Sequence, residues 1–261
     1  MTVIASAAHA LRLAVAALVA RPGLILLFVA VQTGSNLMRF WLGRVEALGG
    51  PGMLMGAVGW LFLIARTFVT QWLHVAAARL IDDRTVGLRQ AFVVAGSQAM
   101  WFHGLILVSL AAFLVRLWLT QASGGFFAPA GRLWDIRELV LMEAGFLFTY
   151  AVFLPLIPGY FASVLGYGGE PTLRGSLRAA RGHVLTALGA AMLLALPPAL
   201  LRRALLGLLD DGGVSGVLLT ALLDAGLTVV LMMLATGVYW GLYRDSLEGA
   251  RGRVRAAEAA R

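Results

Sequence analysis

The chain has 261 residues, 60% of them apolar and only 13% charged, and its mean hydropathy of +0.86 lies outside the range of soluble domains. Its net charge of +8 comes from 21 basic residues, all arginine, scattered between apolar blocks with no continuous basic face carrying interleaved aromatics. That pattern excludes nucleic acid as a partner and leaves an anionic phospholipid surface, and the lack of cysteine excludes disulfides, thiolate metal sites and a cysteine nucleophile.

A helix needs about 20 apolar residues to cross a hydrocarbon core about 30 Å thick. Six blocks of that kind follow one another, roughly 23–42, 53–75, 101–120, 139–161, 184–204 and 216–243. The segments between them leave no room for a soluble domain of ordinary size. The expectation is an all-α, polytopic membrane protein, a single membrane domain over 1–261 with six transmembrane helices arranged as three hairpins. The residues before the first block lack a basic amino-terminal cluster and carry Arg12 in mid-run, so they read as retained and not as a cleaved leader.

A short Leu-Arg element stands before the first, third and fifth blocks: Leu11-Arg12-Leu13-Ala14-Val15, Leu88-Arg89-Gln90-Ala91-Phe92 and Leu173-Arg174-Gly175-Ser176-Leu177. On a helix, Leu173, Leu177, Ala180 and Val184 form one stripe and Arg174, Arg178 and Arg181 the next. Thr172 suits the N-cap and Pro171 the start. Such an amphipathic elbow lies in the cytoplasmic interface, its leucines in the acyl boundary and its arginines on phosphates. The predicted lipid-phosphate contacts are Arg12, Arg89, Arg174, Arg178 and Arg181. The first two elements also lead into the same tetrapeptide, Gly23-Leu24-Ile25-Leu26 and Gly104-Leu105-Ile106-Leu107. The chain therefore reads as three repeats, 1–78, 79–165 and 166–245, each an elbow and a hairpin, followed by a short basic cytoplasmic tail over 246–261. The competing reading is three unrelated juxtamembrane helices.

The Leu-Arg-any-Ser elbow, the basic glycine turn Arg181-Gly182-His183 and the span behind it resemble a six-helix membrane-domain family. That family occurs fused to bacterial glycerophosphodiester phosphodiesterases and as free-standing inner-membrane proteins. The likeness covers most of the chain in topology and is specific in its letters over about Gly166 to Gly189. It implies an inner-membrane, lipid-associated role and carries over no catalytic residue; this sequence holds no phosphodiesterase domain.

Orientation follows from the arginines. Thirteen fall on the side of the termini (residues 12, 21, 79, 84, 89, 174, 178, 181, 244, 251, 253, 255 and 261) against seven on the other, which places both termini in the cytoplasm. Trp41, Trp101, Trp118, Trp134 and Trp240 fall near span ends, the level that indole prefers.

Ionisable groups inside spans are costly and ask for a partner or a role. Arg66 lies about 20 Å along the second span from Met53, at 1.5 Å per residue. Thr67, Thr70, Gln71 and His74 continue its polar stripe, and Gln32, Ser35, Asn36 and Arg39 form a matching one on the first span. If the glycine-rich turn at 49–52 closes a hairpin, Asn36 meets the level of Arg66. Glu143 and Asp224 enter from the outer side, early in the fourth and sixth spans. Together Asn36, Arg39, Arg66, His74, Glu143 and Asp224 define a predicted intramembrane polar pocket. One reading gives it an anionic head group, a proton or an ion; the other has Arg66 bond Asn36 and a carboxylate to fix helix register. Pro155 and Pro158 with Gly159 are expected to interrupt the fourth span, and Pro197-Pro198 the fifth.

Catalytic signatures are absent: no HExxH, no phosphate-binding GxxxxGK[ST] loop and no Gly-x-Ser-x-Gly elbow occurs, and His9, His74, His103 and His183 are too far apart for a helical metal pair. No enzyme, cofactor or metal is expected. The function the sequence supports is that of an integral inner-membrane protein acting on lipid organisation, or as the membrane partner of another protein or of its own copies. The alternative is a small transporter or lipid flippase built on the Arg66 pocket.

Overall fold

The computed structural model describes residues 2–47, 52–94, 96–122, 152–165, 172–208 and 214–259. Among them there is no strand. Without water to serve the backbone, each apolar block has to satisfy its own amides and carbonyls, and a helix does so within one segment. The elements in order are α1 (Val3–Ala20), α2 (Pro22–Ala47), α3 (Gly52–Asp82), α4 (Leu88–Phe92), α5 (Gly96–Ala122), a 3-10 turn (Leu154–Leu156), α6 (Ile157–Leu165), α7 (Leu173–Ala180), α8 (Val184–Leu208) and α9 (Val214–Ala259).

Four of the described helices are long and apolar enough to cross a membrane, by Val3–Ala20, Pro22–Leu42, Val58–Asp82 and Ser215–Asp245; a fifth is added if α7 and α8, bent by 77°, count as one. Their length and composition suit a multi-pass membrane protein. Most of the block at 139–161, with Glu143 and Trp134, lies outside the described residues.

The long helix α9 is the axis of the bundle. Asn36 Nδ2 donates to Ala221 O at 3.2 Å, while Leu24 and Phe28 share a core with Val229, Met232 and Met233, so α2 runs antiparallel to α9. His74 meets Thr236 and Asp82 accepts from Trp240 Nε1 at 3.0 Å, so α3 runs parallel to it. Gln71 bonds Ser109 and Arg79 bonds Gln98, which makes α3 and α5 antiparallel. The polar partners of α2 and α3 thus sit mainly on α9 and α5.

The first elbow, expected at 11–15, is part of an 18-residue helix. The cause is an alanine stripe, Ala7, Ala10, Ala14 and Ala17, all buried, whose small side chains admit close packing. A Cβ on Gly189 of α8 would lie 3.1 Å from the Val3 methyls, and one on Gly237 of α9 would lie 2.8 Å from Ala10 O. Ala14 and Ala17 share a core with Leu73, Ala76, Ala77 and Leu80 of α3. From its amino end onward, α1 therefore meets α8, α9 and α3 in turn.

Two further boundaries depart from expectation. The fifth block is not interrupted at Pro197-Pro198: α8 runs through both. The two prolines remove their own amide donors and crowd the carbonyls one turn back, yet the helix continues on both sides. The segment 246–261, expected as a tail, continues α9 as far as Ala259. In the fourth block, by contrast, the chain does change character around its prolines: Pro155 sits inside the 3-10 turn Leu154–Leu156, and α6 begins at Ile157.

Candidate functional site

The α7 helix starts where Thr172 Oγ1 accepts from Gly175 N at 3.0 Å, an N-cap that satisfies one orphan amide. Its inner face is anchored by Ser176, only 1% exposed. The Ser176 hydroxyl accepts from Gly159 N at 2.9 Å and donates to Pro155 O at 2.8 Å. In an uninterrupted helix that amide and that carbonyl would bond each other; here the hydroxyl stands between them and serves both, where the prolines have already loosened the ladder. The approach is tight because residue 159 has no side chain. A Cβ there would fall 2.6 and 2.7 Å from Trp101 Cζ2 and Cη2 and 2.9 Å from Ser176 Cβ.

With Ser176 and Ala180 facing inward, the opposite side of α7 is left open. Leu173 is 57% exposed and Leu177 44%, and Arg174, Arg178 and Arg181 are exposed beside them. The turn to α8 passes through Gly182 at φ +85°, a left-handed conformation that glycine adopts without steric cost, and the two helices diverge by 77°. Arg12 and Arg89, the other predicted phosphate contacts, are exposed too.

Beyond that turn lies a cavity of about 240 Å³ between α1, α8 and α9, lined among others by Ser6, His9, His183, Thr186, Arg244 and Asp245. The Arg244 guanidinium lies 5.0 Å over the Trp240 ring, and the His9 ring is tilted against the same indole at 5.9 Å. Chemically this wall offers cationic and hydroxyl donors for an anion, with a carboxylate alongside. Sequence reasoning set His9 and His183 aside as too distant for a helical metal pair, and the one local signal was the basic glycine turn Arg181-Gly182-His183. Among the described residues no group of three or more His, Cys, Asp or Glu is placed to hold a metal ion.

The arginines at the same end brace the loops. Arg21 donates through Nε to Arg84 O at 3.0 Å and through Nη2 to Thr85 O, tying the α1–α2 junction to the loop after α3. In that loop Asp83 Oδ1 accepts from Thr85 N at 2.8 Å and Thr85 Oγ1 at 2.7 Å. These bonds, the hydroxyl first, hold the Asp83 carboxyl below its ordinary pKa, with Arg21 adding in the same direction. Arg79 Nη1 reaches Gln90 O at 2.8 Å, Ala91 O at 3.0 Å and Val93 O, capping the carboxyl end of α4, and Nη2 reaches Gln98 Oε1 at 3.1 Å.

The six residues of the predicted intramembrane pocket fall in different places. Asn36, 1% exposed, bonds α9 one turn before Asp224, itself 3% exposed. Arg66 is half-buried on α3, and His74 lines a separate cavity of about 250 Å³ whose wall does not include Arg66. The Arg39 side chain and all of Glu143 lie outside the described residues. Comparison with protein-family models, with curated proteins and with solved structures gives no match in any of the three.

Proposed function

We propose that this chain is a non-catalytic, six-span protein of the bacterial inner membrane whose cytoplasmic elbow helices hold phospholipid head groups. The observation that carries the reading is the 77° bend between α7 and α8, which turns α7 crosswise with Leu173 and Leu177 exposed beside Arg174, Arg178 and Arg181. Exposed leucines flanked by arginines suit a lipid boundary, where the first sink into acyl chains and the second meet phosphate.

Two further features support it. The sequence of contacts along α1, first with α8, then α9, then α3, suits a helix lying across the bundle, although its length alone would let it span. The spans are then α2, α3, α5, the segment ending in α6, α8 and α9, as three hairpins with both termini cytoplasmic, in keeping with the six-helix family that the sequence resembles. The cavity beside the α7–α8 turn gives the head group a place: Arg244, His9 and His183 for its phosphate, and Asp245 for the ammonium of a zwitterionic lipid.

The test is a count of phospholipids retained on the detergent-purified protein, by native mass spectrometry, for the parent and for Arg174→Gln/Arg178→Gln/Arg181→Gln. At about 1 kcal/mol per arginine near an anionic surface, losing three weakens head-group affinity on the order of a hundredfold. Equal retention by a variant with an unchanged melting temperature would remove the mechanism.

A further inference from the structure

A second cavity, of about 250 Å³, lies between α3, α5, α6 and α9 and has no part in the head-group surface described above. Its polar wall includes Gln71, His74, Ser109, Tyr160 and Thr236, and its apolar wall includes Leu105, Ala112, Phe153, Ile157 and Phe161. The direction of the hydrogen bonds in that wall can be worked out. Ser109 Oγ donates to Leu105 O at 2.8 Å, and Thr236 Oγ1 donates to Met232 O at 2.7 Å, each one turn back on its own helix. A hydroxyl has one proton, so each can only accept from its second neighbour. Those neighbours are Gln71 Nε2 at 2.7 Å and His74 Nδ1 at 3.4 Å.

The consequence is a polarity. Gln71 has turned its amide donor onto Ser109, which leaves its carbonyl oxygen Oε1 as the remaining polar atom. His74 carries its proton on Nδ1, and a neutral imidazole then presents a lone pair at Nε2. Neutrality follows from the setting, since no carboxylate lines this cavity among the described residues and an unpaired cation inside a span is costly. Gln71 and His74 stand three residues apart on one face of α3, so both remaining atoms are acceptors on the same wall. The hydroxyl of Tyr160, another lining residue, is buried with no partner among the described residues, an arrangement that costs free energy until something bonds it.

We propose that this cavity binds the hydroxyl head of an uncharged amphipathic alcohol, whose O–H donates to Gln71 Oε1 or His74 Nε2, whose oxygen accepts from Tyr160, and whose first carbons lie among Leu105, Ala112, Phe153 and Ile157. Among the described wall residues a cation would find no carboxylate and a phosphate no arginine. The volume lies just under the roughly 300–1,000 Å³ of small-ligand pockets, which suits a head group with its first carbons and leaves the remaining chain to the bilayer.

Two membrane sources share this chemistry, acylglycerols and long-chain prenyl alcohols. The test is calorimetric titration of the full chain in detergent with 1,2-dioctanoylglycerol and with geranylgeraniol, each against its own O-methyl ether. The alcohol from the true source binds on the order of tenfold tighter than its ether, the worth of one hydrogen bond. Gln71→Met combined with His74→Phe removes that ratio, and Ala112→Phe, which fills the cavity and leaves both acceptors in place, abolishes binding at an unchanged melting temperature. Equal binding of alcohol and ether, no binding of either alcohol, or parent-like binding by Ala112→Phe would each overturn the proposal. If Ala112→Phe fails to fold, an undiminished ratio in the double variant Gln71→Met/His74→Phe, which lacks both acceptors, overturns it instead.

Discussion

Replacing Gly159 by alanine tests the junction between α6, α5 and α7. Carbon atoms in contact prefer about 3.5–4.0 Å, and a methyl at residue 159 would begin at 2.6 Å from the Trp101 ring and 2.9 Å from Ser176 Cβ. The indole is buried and cannot swing aside as a flexible side chain would, so it has to shift bodily by about 1 Å, and overpacking of that kind costs ~1–3 kcal/mol. Displacing Ser176 also weakens its bonds to Gly159 N and Pro155 O, at ~1 kcal/mol each. Alanine returns ~1 kcal/mol through its better helix propensity, which leaves a net loss of about 2 kcal/mol or more. The assay is reversible unfolding in mixed micelles, followed by tryptophan fluorescence. Ser176→Ala provides the scale: without the hydroxyl the 159 amide can close directly onto the 155 carbonyl, so its cost stays near ~1 kcal/mol. Because the two residues touch, the double variant should not be additive. A Gly159→Ala protein as stable as the parent, or more stable, would mean that Trp101, residue 159 and Ser176 do not meet as described, and the account of α7 anchoring would fall with it.

Arg79→Gln removes the donors that cap α4 and should cost ~2–3 kcal/mol, with faster amide exchange over 88–93; lysine should restore little of it, because a point charge cannot serve several carbonyls as a guanidinium does. The Asp83 carboxyl, held low by Thr85 and Arg21, stabilises the fold above the unfolded-state pKa of about 3.9 and loses that contribution as pH falls through the lower folded-state value. Asp83→Asn should therefore flatten the acid limb of a stability profile taken below about pH 4, and an unchanged limb would place the effect elsewhere. Arg244→Gln should lower the retention of phospholipid while leaving the titration with neutral alcohols as it was, since the two cavities share no wall residue.

The long apolar blocks were legible because a bilayer demands helices of set length, and α2, α3, α5, α8 and α9 all start near the sequence-derived bounds, although α3 and α9 run on past theirs. Thr172 was legible as a cap because capping is a local matter, settled within four residues. What local pattern does not carry is the choice of neighbour. A tight turn at 49–52 suggested that Asn36 looks toward α3, yet its amide bonds Ala221 on α9, from the far end of the chain. Gln71 and His74 stood out as a polar stripe, but their partners Ser109 and Thr236 are a serine and a threonine like many others until packing brings them alongside. The alanine stripe of α1 was on the page in full, and in a chain so rich in alanine it did not stand out. The cavity at His9, His183 and Arg244 joins residues from both ends of the sequence, and no spacing rule connects them.

The near-touching backbones of α1 and α9, where Ala10 O occupies the space a side chain on Gly237 would need, bear on how such a chain is assembled. A ribosome delivers the alanine-faced helix early and its glycine seat late. In the interval that helix lacks its closest neighbour, and the bundle locks only when α9 has packed against it. An alanine or larger residue at 237 would then do its harm at this last step, yielding a protein that is inserted, with every span across the bilayer, yet left unlatched and open to proteolysis along its amino-terminal helix.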